Sequence, residues 1–332
     1  MQKGNLHQAV PLRMNARMMR TRMTLEIVSE LYASRMFESG NNLDVSIRSG
    51  SDEPESEPFR IGINGDLMGG MRAPIEVSQR RVEVACVNPS PVVTMAYRGR
   101  GFFKEKMQIR ALAVLPSWDK IAFAVARDSG INSISEIVEN KIPVRVHTRS
   151  SGVHNTTHDT LTRILALYGM SFRKIKNWGG RVFETPWPSS AERRDAIKTG
   201  AVNAVFDEGI KTWLPTALEN GYKVLPIDAR VIRGMEKIGF RASVIPKKAF
   251  KGLDEEVKTI DFSGWPLITH RWMSSEMAYS FVAAMAARRK TIPVDDVKPL
   301  NMRKICRDTE DGPIGIPFHR GALRYYKEQG YL

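Results

Sequence analysis

The sequence predicts an α/β fold built on a largely parallel sheet. Three observations carry that prediction. Short apolar runs alternate with amphipathic runs of helical period between residues 134 and 227. Small, polar or charged residues stand where those apolar runs end, as at Ser150-Ser151-Gly152 and Asp207-Glu208-Gly209. No apolar run approaches the roughly 18 residues that a membrane span needs, so no membrane span is expected. The chain of 332 residues, 42% hydrophobic and 26% charged, has the length for two domains around sizeable cores.

In chain order, residues 23–37 are helical in period, with Leu25, Val28, Leu31, Tyr32 and Met36 on one face. Residues 43–47 and 59–63 read as strands, separated by an acidic, proline-bearing loop over 49–58 and followed by a glycine-rich turn over 65–70. Residues 73–81 read as a helix and 82–87 as a buried strand, closed by the stiff turn Asn88-Pro89-Ser90-Pro91. The stretch 97–104, YRGRGFFK, is a single basic and aromatic copy with two turn glycines; a loop is the simpler account, and no nucleic-acid partner is expected. Strands follow at 109–115 and 121–126, split by Pro116-Ser117-Trp118-Asp119-Lys120.

From there the alternation is strict. A helix is expected at 134–139, a strand at 144–147, a helix at 153–168 and a strand at 174–178. A helix at 189–199, a strand at 202–206, a helix at 211–220 and a strand at 224–227 complete the series. Later, 239–246 and 265–270 are strand-like, 274–289 is a long helix, and 317–330 holds a terminal helix.

In open α/β sheets ligands sit beyond the carboxyl ends of strands. Asn88 to Ser90, Ser117 to Lys120, Ser150 to Gly152 and Asp207 to Gly209 are therefore the candidate walls of a pocket. The turn Ser150-Ser151-Gly152 has the character of an anion cradle. A helix starting after it leaves its first N–H groups open, with the positive end of its dipole beside them. The same turn also fits a plain helix cap. Asn88 and Ser90 would face it, Arg149 would add a charge-assisted contact, and Trp118 and Trp187 would form apolar or stacking walls. Asp207 ends a buried strand, where an acid can line a pocket or cap the next helix.

The signatures of catalysis are missing. There is no His-Glu-x-x-His helix, no Gly-x-Ser-x-Gly elbow, no Walker loop and no Cys-x-x-Cys pair, and no cofactor or metal is expected. His154 and His158 share a helix face with His147 nearby, but no third ligand stands at a zinc spacing. An enzyme acting on a small carboxylic acid, a decarboxylase or isomerase, would need His147 or His154 as its base. Cys86 and Cys306 are two cysteines among apolar neighbours, too few for a disulfide framework.

Four stretches together resemble the TAXI-type solute receptors of TRAP transporters. They are residues 197–206 (IKTGAVNAVF), 77–103 with its Tyr-x-Gly-x-Gly-x-Phe, 144–169 with its Ser-Ser-Gly turn, and 316–330 (IPFHRGALRYYKEQG). The resemblance covers residue 77 to the end and implies a type II periplasmic-binding-protein clamshell. Each of its two lobes would be a mostly parallel sheet flanked by helices. It further implies capture of a small organic anion, a carboxylate such as a dicarboxylate or acidic amino acid, and delivery to a membrane permease. The division expected with it is one lobe from 23–116 with 228–332 and the other from 117–227, preceded by a basic arm at 1–22 that is read from the charges and not from the resemblance. Chain crossings would fall near 116–118 and 225–228.

The net charge of +14 suits an anionic ligand. Five of those charges, Lys3, Arg13, Arg17, Arg20 and Arg22, precede the first acid, Glu26. The amino terminus lacks the apolar core of a signal peptide. The expected compartment is thus periplasmic by resemblance, and cytoplasmic if the sequence is complete.

Overall fold

The computed structural model describes residues 16–33, 70–151, 156–292 and 299–332. The strands expected at 43–47 and 59–63, the acidic loop, Gly152 and His154 lie outside the described residues.

The chain enters through α1 (Ala16–Ala33), α2 (Arg72–Ser78), β1 (Val84–Cys86) and α3 (Ser90–Arg98), then β2 (Ile109–Leu115) and β3 (Ala122–Ala126). The alternating series is α4 (Ile134–Glu139), β4 (Arg145–Arg149), α5 (Thr156–Leu167), α6 (Phe172–Asn177), β5 (Arg181–Thr185), α7 (Ala191–Lys198), β6 (Ala204–Asp207), α8 (Ile210–Glu219) and β7 (Tyr222–Leu225). The remainder is α9 (Ala229–Glu236), β8 (Ala242–Ile245), β9 (Val257–Ile260), β10 (Trp265–His270), α10 (Ser275–Ala287), α11 (Met302–Ile305) and α12 (Arg320–Glu328).

These strands form a three-stranded sheet, β1-β10-β2, a five-stranded sheet, β5-β4-β6-β3-β7, and the pair β8-β9. In the five-stranded sheet β4 runs parallel to β5 and β6, and β3 runs against both β6 and β7. Four strands therefore share one direction, as the alternating pattern implies. The three-stranded sheet departs from the parallel expectation. β10 lies between β1 and β2 and runs against both, because it reaches the sheet only after the chain has completed the other one.

Period-two patterning explains how each sheet buries both faces. In β3, Phe123 and Val125 join one apolar cluster, while Ala122 and Ala124 join another with Trp213 and Leu214 of α8. Ile109 and Ala111 of β2 lie in the same cluster as Phe123, so the two sheets share one continuous core. The other face of the small sheet packs Leu112, Leu115 and Leu267 against Phe281 and Met285 of α10 and Tyr326 of α12.

Some elements differ from the sequence pattern. Residues 174–178 are not a strand: Ser171 caps α6 by accepting from the Lys174 N–H, and the strand follows at β5 after Gly179-Gly180. The Pro89-Ser90-Pro91 turn is itself the start of α3, with proline in the first turn where no N–H is needed. Helix α1 begins at Ala16, inside the stretch expected as an arm.

The two large sheets are joined by an antiparallel ladder. The Gly264 N–H donates to Ser117 O (2.9 Å), Phe262 to Asp119 O (3.0 Å) and Ile121 to Ile260 O (3.1 Å). Through 260–264 the chain passes into β10 of the small sheet. Ile227 is held by Lys258 O (2.9 Å), and α9 packs beside α5, where Arg230 donates to Leu167 O (2.9 Å).

Helix α12 lies on α10 with almost no clearance. A Cβ at Gly321 would meet the Ser275 carbonyl oxygen inside van der Waals contact and Ala278 Cβ at 3.0 Å. Alanine in a helix gains about 1 kcal/mol over glycine from propensity, but a backbone oxygen cannot rotate away. Gly321→Ala is therefore expected to lower stability by about 2 kcal/mol, read as a reduced midpoint in urea unfolding with an unchanged slope.

Candidate functional site

Hydrogen bonds link three of the strand-end segments, 88–90, 117–120 and 207–209. Ser90 donates its N–H to Ser263 O (3.2 Å), and the Asp119 N–H donates to Ser263 Oγ (2.9 Å). The Asp119 carboxylate accepts from the Gly209 N–H at 3.0 Å and the Ile210 N–H at 3.3 Å, and so caps α8 from the connecting ladder. Glu208 then pairs with Arg149 and receives the Thr157 hydroxyl at 3.4 Å. The turn after β1, the ladder, the end of β6 and the start of α5 are thereby one connected locus.

The small sheet and the large one approach each other there. A Cβ at Gly70 would lie 2.6 Å from Thr156 Oγ1, in the first turn of α5, and 2.8 Å from Asn88 O, in the turn after β1. Farther along the same flank, Arg163 of α5 donates to Gly101 O (3.5 Å) and lies 5.7 Å from the Phe102 ring centroid.

Behind this surface lies a dry cluster of charge. Asp207 is fully buried and holds two guanidiniums, Arg193 Nη2 at 2.6 Å and Arg149 Nε at 3.3 Å. Arg149 is 6% exposed and is gripped by Asp207 and Glu208 together. Burial works against its charge, but the two carboxylates outweigh that and raise its pKa. Arg193 also donates from Nε to His147 Nδ1 (3.2 Å), which puts the imidazole hydrogen on Nε2. Burial, reinforced by the Arg193 charge, lowers the His147 pKa to about 4, so the ring is neutral. Asp119 is shifted the other way: burial first, then the Glu208 charge, pushes its carboxyl well above the usual range. On the ladder itself Lys120 is fully buried, with Nζ 2.7 Å from Asp261 and 3.2 Å from Ser263 Oγ.

The structure sorts the candidate residues accordingly. Asn88, in the turn after β1, is half-buried and Ser151, after β4, is exposed; Ser150 is half-buried with its N–H on Thr185 O (2.9 Å). Ser90 is placed differently from the expectation. Its buried hydroxyl has no partner among the described residues and lies where a Gly264 side chain would stand, turned onto the ladder. Arg149 and Asp207 are both buried; Arg149 pairs with Asp207 and Glu208, and Asp207 with Arg193 as well. Trp118 is half-buried: its indole N–H donates to Glu310 (3.2 Å), and its ring faces Lys120 at 5.2 Å, Lys211 at 6.0 Å and Phe250 at 6.3 Å. Trp187 is 49% exposed beyond β5, next to Pro188, which packs on Gly209. Asp119 and Glu208, inside the candidate wall segments 117–120 and 207–209, join the locus, and so does Thr157, which lay in none of them. The signal available for Asp119 was its place in the break after a strand.

Among the described residues no three His, Cys, Asp or Glu side chains stand together as a metal site. Among them, too, no helix is long and apolar enough to cross a membrane.

The family model described as the NMT1-like family matches residues 67–330. Solved structures similar to the chain include a TctC solute binding protein from Polaromonas, at 17% identity and a TM-score of 0.36, with 61% of this chain and 62% of that one covered. Another is the periplasmic aliphatic sulphonate binding protein SsuA from Escherichia coli, at 15% identity and a TM-score of 0.34, covering 80% and 71%. A third is PhnD1 from Prochlorococcus marinus in complex with methylphosphonate, at 10% identity and a TM-score of 0.35, covering 67% and 69%. The chain thus spans about three fifths of the Polaromonas protein's length.

The buried cluster has a signature in pH. The folded-state pKa of His147 lies below its unfolded value of about 6.5, so the unfolded chain takes up the proton first as pH falls. Stability present above pH 6.5 is lost through the interval down to about pH 4, by about 3 kcal/mol for this group. His147→Asn keeps an acceptor for Arg193, and its stability is expected to fall less steeply than wild type between pH 7 and 4.5 in urea titrations. Arg193→Met removes one guanidinium from a buried carboxylate, and a loss of about 3–5 kcal/mol is expected in the same assay at pH 7.

Proposed function

We propose that this chain, which belongs to the NMT1-like family, is a solute-binding protein that closes two lobes on a small organic anion. The observation that carries this reading is the approach of the first turn of α5 to the turn after β1, with Gly70 wedged between Thr156 and Asn88. Both turns lie at strand ends, where open α/β sheets bind. The amino end of the 12-residue α5 carries the positive pole of its dipole. A carboxylate of the ligand would meet that pole and the Ser150-Ser151 turn, with Asn88 opposite. Arg149 and Arg193 contribute from behind: together they neutralise Glu208 and Asp207, so that those carboxylates do not repel the anion. The ladder of 117–121 with 260–264 would be the hinge of closure.

In this reading the protein is a receptor of the TAXI type, works in the periplasm, and hands its ligand to a TRAP-type permease. The four stretches that resemble such receptors, and the basic excess of +14, support it.

A thermal-shift panel of mono- and dicarboxylates, keto acids and acidic amino acids tests the binding step. At least one acid is expected to raise the midpoint in proportion to the logarithm of its concentration, since only the folded form binds. Ser151→Asp places a negative charge on an exposed turn position and is expected to abolish that rise while leaving the ligand-free midpoint unchanged. An unshifted midpoint with every acid, or a rise that survives Ser151→Asp, would sink the proposal.

A further inference from the structure

The end of the small sheet remote from the ladder carries a feature that solute binding does not use. β10 runs from Trp265, paired with Leu115, to His270, paired with Ile109. Its six residues carry the chain about 17–20 Å away from the ladder. The turn that follows presents Trp272, 51% exposed and the most exposed large apolar side chain among the described residues. Two guanidiniums attend its ring, Arg271 at 5.5 Å and Arg80 at 6.0 Å from the centroid.

The two arginines differ from their neighbours. Arg72 and Arg81 both pair with Glu76, and Glu83 pairs with His270. Arg271 reaches only the neutral Gln108 side chain (3.0 Å), and among the described residues no carboxylate pairs with Arg80 or Arg271. Arg80 is also one of the few non-glycine residues with a positive φ, at 61°. A side chain there costs about 1 kcal/mol or more relative to glycine, and the result is a guanidinium held beside the indole. Next to it, His270 is 4% exposed and its Nδ1 has no partner among the described residues.

The geometry points to a docking site for an acidic segment of a partner protein. Arg80 and Arg271 would take carboxylates in the forked geometry that guanidinium favours, and the aliphatic parts of the segment would cross the Trp272 face. Tryptophan and arginine are the side chains that most often dominate interface energetics. The charge asymmetry selects the occupant. Glu83 stands at the patch edge with its side chain 66% exposed. A broad anionic bilayer would have to cover that carboxylate, whereas a single acidic strand passes beside it.

The test uses the whole protein and a fluorescein-labelled decapeptide of alternating glutamate and alanine, followed by anisotropy in low salt. Trp272→Ala leaves the net charge unchanged and is expected to weaken binding about tenfold. Arg80→Gly with Arg271→Gln, which keeps the left-handed backbone at residue 80, is expected to weaken it at least as much. Lys247→Gln with Lys251→Gln removes the same charge elsewhere and is expected to leave binding within about twofold. Trp272→Tyr, which retains an aromatic face, serves if the alanine variant melts early and should retain most of the affinity. The proposal is overturned if the peptide does not bind wild type, if the lysine pair weakens binding as much as the arginine pair, or if only phosphatidylglycerol vesicles bind.

Discussion

Asp207 is the charge around which the larger sheet is arranged. Its carboxylate is out of water at the end of β6, and two guanidiniums from β4 and α7 meet it there. An ionised group in such a place is tolerated only when paired and hydrogen-bonded. Arg193 therefore cannot leave, and it in turn fixes the His147 ring on the neighbouring strand. Arg149 cannot leave either, and it fixes Glu208, whose backbone oxygen accepts the indole N–H of Trp213 (2.9 Å). Positions on two strands and two helices are set by one carboxylate and its two partners.

The connecting ladder depends on that cluster at one remove. Asp119 takes the first N–H groups of α8 from outside the helix. Gly209 stands at the N-cap just before the helix, and its φ of 64° would strain any other residue. The small sheet is tied to the same ladder through Ser263, and Lys120 and Asp261 close the pairing with a buried ion pair. A rotation of one sheet against the other would thus turn about a segment hydrogen-bonded to both.

Much of the architecture was legible in the sequence because it is local. β2 and β10 are found where their apolar runs fall, and α4 begins at the residue after its serine cap. The misread segments are those whose neighbours decide. Residues 174–178 carry one deeply buried apolar side chain, Ile175, and either period accommodates it; Ser171 upstream and Gly179-Gly180 downstream make it a helix. The candidate site was legible only as a set of strand ends. That Arg149 is consumed internally follows from Asp207 and Glu208, which lie 58 and 59 positions away in sequence. Spacing along a chain does not reveal such a pairing. An adjacent arginine and serine turn looks the same whether the arginine faces a ligand or a carboxylate.

The position of β10 also bears on the order in which the molecule can be assembled. β1 and β2 are not neighbours; each pairs with β10, which lies between them. A chain emerging from the ribosome has all five strands of the larger sheet by Leu225, whereas the small sheet has no centre until His270 has been made. The later-finished sheet is thus built from the earlier-made strands. Until its middle strand arrives, β1 and β2 lack the strand that pairs with both, and the interval is about 45 residues of synthesis, a few seconds at the usual rate.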